Sequence, residues 1–146
     1  AVDFTSASQS ALEDVGMLTI TAELSATSAQ NVTVPFTAGG TATQGDDYTI
    51  TPMSITIDAG NTSADIMIMV NDDIFYEAAE TVIVTMGAPT NAVPGATTVH
   101  TATMENNDGE KWAFTTGGGV PSSPAIGAGL LVVGCTGGWV YCFGSR

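Results

Sequence analysis

The sequence predicts an all-β fold: an antiparallel β-sandwich carrying a short C-terminal β segment. Three observations support this. Short segments alternate apolar and polar residues, breaks rich in Gly, Asn and Asp separate them, and no apolar period near 3.6 residues persists long enough for a helix. About seven short strands joined by turns suit two packed sheets. With 146 residues, 44% of them hydrophobic and 12% charged, the chain can bury one domain core and still carry an appendage.

Val2 to Thr5 reads as a short first strand, followed by a Ser- and Ala-rich passage reaching Glu13, Asp14 and Gly16. Met17 to Leu24 places Leu18, Ile20, Ala22 and Leu24 on one face and Thr19, Thr21 and Glu23 on the other, which is the pattern of a half-buried strand. Asn31 to Thr37 repeats it with Val32, Val34 and Phe36 inward. Pro35 lacks an N–H and so argues for an edge or a bulge. After the Gly39-Gly40 break, Gly45-Asp46-Asp47-Tyr48 reads as a turn, and Met53 to Ile57 as a strand ended by Asp58-Ala59-Gly60-Asn61.

Ala64 to Val70 would turn Ala64, Ile66, Ile68 and Val70 inward, yet Met67 and Met69 make its other face apolar as well. Thr81 to Met86 and Thr98 to Met104 complete this unit. His100 lies inside the last strand with no Ser or Cys beside it in sequence, and is read as a packing or surface residue rather than a catalytic one.

The most informative stretch is Asn71-Asp72-Asp73-Ile74-Phe75-Tyr76-Glu77-Ala78-Ala79-Glu80, which lies between two of these strands. It crowds four carboxylates into one loop, while the whole chain offers only two basic side chains, Lys111 and Arg146. Like charges held close repel, and a bound cation would relieve them. Oxygen donors without a nearby His or Cys suit a hard ion, and a loose set of about six to eight oxygens suits Ca²⁺ better than Mg²⁺. The alternative is a solvated acidic hairpin loop.

A net charge of −13 opposes binding to nucleic acid or to anionic lipid, and no apolar run is long enough to insert in a bilayer. The chain starts at Ala1, within a strand-like segment, which is expected of a secreted mature product or of an excised fragment. Asn31-Val32-Thr33 and Asn61-Thr62-Ser63 are N-glycosylation sequons. No nucleophile with a base, no metal-activating His set and no phosphate-cradling Gly loop is present, so the expectation is that the chain is not an enzyme.

Residues 2 to 108 resemble a Calx-β domain. The residues that carry the resemblance are an acid after the first strand, the Gly45-Asp46-Asp47-Tyr48 turn, the Asp-Asp-x-x-Tyr-Glu-x-x-Glu order from Asp72 to Glu80, and the closing cluster Glu105-Asn106-Asn107-Asp108. The resemblance implies an Ig-like sandwich with Ca²⁺ held in the loops at one end. It makes Glu13, Asp47, Asp72, Asp73 and Glu77 side-chain ligands and Phe75 a backbone-carbonyl ligand. Asn107 and Asp108 fall in the closing ligand positions, and a slip of one residue would bring in Glu105. The best calcium binders of the family have consecutive aspartates there, so the asparagines imply fewer or weaker ions.

After Glu110 the acids disappear, and Trp112 to Gly117, Ser123 to Gly134 and Gly138 to Tyr141 resemble one repeat of a PQQ-like β-propeller. One blade cannot close a ring, so no quinone follows. The expected domains are therefore a sandwich over 1–109 and a single blade or hairpin over 110–146. Gly137-Gly138 is a hairpin signal, and a two-residue turn there would set Cys135 opposite Val140. Cys135 and Cys142 are expected to form a disulfide within the chain, with free thiols or a bridge between chains as alternatives.

The expected function is a secreted, calcium-stabilised structural subunit that polymerises with copies of itself into an extracellular filament or surface layer. The alternative is an adhesion module, with a cell-surface or matrix ligand, cut from a larger surface protein.

Overall fold

The structure, a computed structural model, describes residues 1–75 and 77–108, together with the backbone of 125–127, 130–134 and 140–144. The chain divides into two compact units, Ala1–Glu110 and Lys111–Arg146.

The first unit is a sandwich. One sheet has the order β1-β3-β7-β5, formed by β1 (Val2–Phe4), β3 (Met17–Leu24), β7 (Ser63–Val70) and β5 (Tyr48–Thr49). The other has the order β2-β9-β8-β4-β6, formed by β2 (Ser8–Leu12), β9 (Val99–Glu105), β8 (Glu80–Met86), β4 (Val32–Gly40) and β6 (Ser54–Ile57). Their inner faces supply the core: Ile20, Ile66 and Ile68 from the first sheet, and Val32, Val34, Val82, Val84 and Ala102 from the second, are all at most 2% exposed. The inward sets expected for β3 and β4 are the buried ones, and in β7 Ile66, Ile68 and Val70 are buried while Ala64, near the strand's start, is only partly so; a period of two commits every second residue to the core where one face is covered.

Two strands carry no such pattern. β2 is half-exposed along its length, and it pairs in parallel with β9 while its neighbours pair antiparallel. The chain leaves the first sheet after Phe4 and joins the second at Ser8, splitting what reads as one opening passage into strands of different sheets. β5 is two residues long, and its Tyr48 is 2% exposed.

Pro35 sits where β4 changes partner. Val32 to Pro35 pair with β6, and the ladder to β8 begins only at Phe36, so the missing N–H interrupts neither. His100 is 1% exposed; its Nδ1–H donates to the Ser6 carbonyl at 2.7 Å, and its ring stands edge-on to Phe4 at 6.4 Å. It is a packing residue.

In the solvent-facing row of the first sheet, Met17 lies opposite Met69. Both, together with Met67, are 45–57% exposed. The apolar second face seen in the sequence is therefore open to solvent in this unit.

In the second unit, β10 (Ala125–Gly127), β11 (Leu130–Gly134) and β12 (Val140–Gly144) form an antiparallel sheet in that order. Gly134 lies opposite Val140 and Val132 opposite Cys142. This corrects the pairing that a two-residue turn would give: the register is shifted by one residue, and residues 135–139 lie outside the described ones. Cys135, Trp112, Trp139 and the Cys142 side chain lie outside the described residues.

Candidate metal centre

Strand register brings the acidic segments to one end of the sandwich. Leu12 at the end of β2 lies opposite Glu105 at the end of β9, and Glu80 at the start of β8 lies opposite Met104. In the other sheet, Met17 at the start of β3 pairs with Met69, and Tyr48 with Val70. The segments before β3, before β5, between β7 and β8 and after β9 therefore open at the same edge.

Backbone bonds tie them together. The Val70 N–H donates to the Gly16 carbonyl at 3.0 Å and the Asn71 N–H to the Asp47 carbonyl at 2.9 Å, while Asn71 Nδ2 donates to the Asp46 carbonyl at 2.7 Å. Asp47 Oδ2 caps its own turn by accepting the Thr43 N–H at 2.6 Å.

Two carboxylate trios result. Glu13, Asp72 and Asp108 each offer an oxygen within 4.8 Å of the other two, and so do Asp47, Glu77 and Glu80. Glu13 sits on a short 3₁₀ turn, Glu13–Val15, and is 6% exposed although no hydrogen bond reaches its side chain. Asp108 Oδ2 is buried without a partner. A buried carboxylate with neither donor nor cation is costly to keep ionised.

The electrostatics agree with this picture. Burial, followed by the charges of Glu77, Asp108, Asp73 and Asp72, pushes the Glu13 carboxyl above the usual carboxylate range. Glu77 is raised by burial and then by Asp47 and Asp73. Glu80 is pushed up to about 7 by burial first, then by a side-chain hydrogen bond with Asp47 and the charges of Asp47, Glu77 and Glu13. For Glu13, Glu77 and Glu80 alike, burial and neighbouring negative charges act in the same upward direction, with no cationic side chain among the described residues to favour the ionised form.

Of the residues singled out in the sequence, Glu13, Asp72 and Asp108 come together, as do Asp47 and Glu77. Glu80 was left out of the expected ligand set and completes the second trio. Its signal was present in the acidic stretch, but its nearness to Asp47 is a long-range contact that spacing does not reveal. Asp73 belongs to neither trio; its Oδ1 accepts the Phe75 N–H at 2.6 Å. The Phe75 carbonyl accepts from Asn106 Nδ2 at 3.3 Å, and Asp72 Oδ1 from Asn107 Nδ2 at 3.1 Å.

The donor set is all oxygen, strongly anionic and without His or Cys. It fits a hard divalent ion, and the size and irregularity of the set fit Ca²⁺ better than Mg²⁺. Glu13 and Asp108 would hold an ion in the first trio with Asp72, and Asp47, Glu77 and Glu80 would hold one in the second.

Comparisons with known proteins bear on the fold that carries this site. The structure is similar to that of the calcium-binding domain CBD12 of CALX1.1, with a TM-score of 0.67 and 19% identity over 74% of this chain and 45% of that one. CBD12 from CALX1.2 gives a TM-score of 0.67 at 18% identity over 73% of this chain and 44% of that one. The apo-form Calx CBD1 domain gives 0.64 at 18% identity, over 73% of this chain and 96% of that one. The chain thus spans less than half the length of the two CBD12 structures. No curated protein matches it in sequence. The description of the Calx-beta domain matches residues 1–109, so over its sandwich this chain belongs to the Calx-β domain family.

Proposed function

We propose that this chain is an extracellular structural module whose sandwich is locked at one end by calcium, and that copies of it join into a filament or surface layer. The role is one of binding and support rather than catalysis. The observation that carries the calcium reading is the convergence of two carboxylate trios with no cationic side chain among the described residues, one trio containing the buried, unpartnered Glu13. An ion there neutralises charges that otherwise repel, and it ties together loops from both sheets.

The assembly reading is supported by two further features. Met17, Met67 and Met69 leave an apolar strip on one sheet, and the three strands of the C-terminal unit contain no charged residue. Strands that read as unbroken apolar runs are those that become covered on both faces. A 36-residue unit, read here as one blade-like repeat, has little core of its own with which to cover them. Contacts with a second copy would supply the cover, and a head-to-tail contact that does not close produces a filament. Calcium would also lower the repulsion between chains that each carry −13.

Calorimetry and thermal melts of the metal-stripped chain test the first part. Calcium at about a hundredfold excess over Kd should stabilise the native state by about 2.7 kcal/mol per site. Unchanged melts together with no binding heat would reject it. Light scattering and electron microscopy of the full chain with calcium test the second, with a chain ending at Glu110 as the comparison. Polymers from the full chain alone are expected, and a monomer at high concentration would reject assembly.

A further inference from the structure

The chain carries two Asn-x-Ser/Thr triplets, Asn31-Val32-Thr33 and Asn61-Thr62-Ser63, and the fold treats them differently. Both asparagines are exposed, so exposure alone does not separate them. Hydrogen bonding does, at the two groups a glycosyl transfer needs: the asparagine amide nitrogen and the hydroxyl residue two places on.

Asn31 is tied down. Its Oδ1 accepts the Ala59 N–H at 2.9 Å, its Nδ2 donates to Asp58 Oδ1 at 3.3 Å, and its carbonyl accepts from Asn91 Nδ2 at 2.9 Å. Thr33 is half-buried within β4, where it lies opposite Thr56 of β6. Its N–H donates to Thr90 Oγ1 at 3.1 Å, and its carbonyl accepts the Thr90 N–H at 3.0 Å. To enter an enzyme's cleft this triplet would have to abandon β6, the turn at Asp58-Ala59 and the Thr90-Asn91 segment together.

Asn61 closes the turn Asp58-Ala59-Gly60-Asn61, in which its N–H donates to the Asp58 carbonyl at 2.9 Å and Gly60 takes φ +87°. Asn31 holds this turn from outside, and so does the Ser28 carbonyl, which accepts the Gly60 N–H at 2.8 Å. The Thr62 carbonyl accepts the Leu24 N–H at 2.7 Å. Among the described residues, however, no hydrogen bond reaches the side chain of Asn61 or of Ser63, and both residues are exposed. Ser63 opens β7 opposite Glu23 of β3, while on the strand's other side β5 pairs only with Met69 and Val70. Asn31 is thus a bracket for the turn that presents Asn61.

We propose that Asn61 is an N-glycosylation site of this chain and that Asn31, despite its sequon, is not. In the transfer, Asn61 Nδ2 bonds to the anomeric carbon of an oligosaccharide carried on a lipid pyrophosphate. The bond from that carbon to the phosphate oxygen breaks, the lipid pyrophosphate leaves with the bonding pair, and Nδ2 gives up one proton; an oligosaccharyltransferase supplies the catalysis. A glycan is bulky and needs an open surface. β7 runs from this turn to Val70 at the carboxylate edge, so the glycan stands at the other end of the sandwich from the carboxylate trios. The inference does not rest on the calcium or the assembly reading.

The test uses the folded full chain, made in a host without such a transferase. It is incubated with lipid-linked oligosaccharide and a single-subunit oligosaccharyltransferase that requires only Asn-x-Ser/Thr, and peptide mass spectrometry reads each sequon. Asn61 should carry the glycan and Asn31 none. Synthetic peptides spanning 26–36 and 56–66 remove the fold, and the Asn31 peptide should then accept at least as well as the Asn61 peptide. Glycan on Asn31 of the folded chain, or on neither asparagine, would overturn the proposal. So would peptides that already show the chain's preference, because the choice would then be local. N61Q should melt with the parent and take no glycan, and N31Q should melt lower; equal melts of N31Q and the parent would overturn the role given to Asn31.

Discussion

Raising the pH should weaken the metal-free protein and strengthen the calcium-loaded one, and the opposite signs follow from the carboxylate trios. Glu80 is raised from 4.5 to about 7 in the folded chain. The folded state therefore binds a proton more tightly than the unfolded state. This contribution to stability is fully present below about pH 4.5 and is lost as the pH rises through about 7. Glu13 and Glu77, also raised, act with the same sign.

At about 1.4 kcal/mol per pKa unit, the Glu80 shift alone would be worth roughly 3 kcal/mol. Its partial exposure and screening by salt reduce that to roughly 1–2 kcal/mol. For a domain of this size the loss is a drop in Tm of roughly 5–10 °C. Circular dichroism melts of resin-stripped protein at pH 5, 6, 7 and 8 read the first arm, and the same series in excess calcium reads the second. In calcium the sign reverses, because the ion needs Glu80 ionised and competes with its proton. The E80Q variant should flatten the metal-free series. A metal-free Tm that stays level or climbs from pH 5 to pH 8 would refute the reasoning.

Three further outcomes are expected. Gly40→Ala should destabilise by about 2 kcal/mol or more, since Gly40 has φ +123° and an added Cβ would fall onto the Thr81 carbonyl; urea unfolding reads it, and a change under about 0.5 kcal/mol would contradict that packing. Ile68→Ala, at a side chain with 0% exposure between the sheets, should lose about 2–5 kcal/mol in the same assay without altering calcium stoichiometry. Cys135 and Cys142 should be oxidised to one another, because a glycine-rich hairpin with little core gains from a cross-link. Mass spectrometry of the unreduced protein that finds two alkylatable thiols would reject the bridge, and a disulfide-linked dimer would reject its intrachain form.

Much of the sandwich could be read directly from the chain. β3, β4 and β7 announce themselves because one buried face imposes a strict period of two, and their buried residues are the alternating apolar ones. β2 does not, because Gln9 and Ala11 on its inner face are only partly buried and one of them is polar, and the strand is held by its parallel pairing with β9. β5 is a strand only because Val70 and Met69 pass beside Tyr48 and Thr49. The shifted hairpin register in the C-terminal unit was likewise beyond a turn signal made of two glycines, since loops of different length can share the same tip.

For the site, the sequence by itself determined the chemistry. Acids crowded into one loop, with only Lys111 and Arg146 to oppose them anywhere in the chain, repel one another and favour an oxygen-seeking cation over any other ligand class. The tertiary structure decided which acids come together. Glu13 meets Asp72 and Asp108, and Asp47 meets Glu77 and Glu80, because the registers of β2 with β9, β3 with β7 and β8 with β9 bring distant loops to one edge. It also decided what the closing asparagines meet: Asn106 Nδ2 donates to the Phe75 carbonyl and Asn107 Nδ2 to Asp72 Oδ1. Spacing along the chain cannot report these partners, because they depend on which carbonyl or carboxylate the folded backbone holds about 3 Å away.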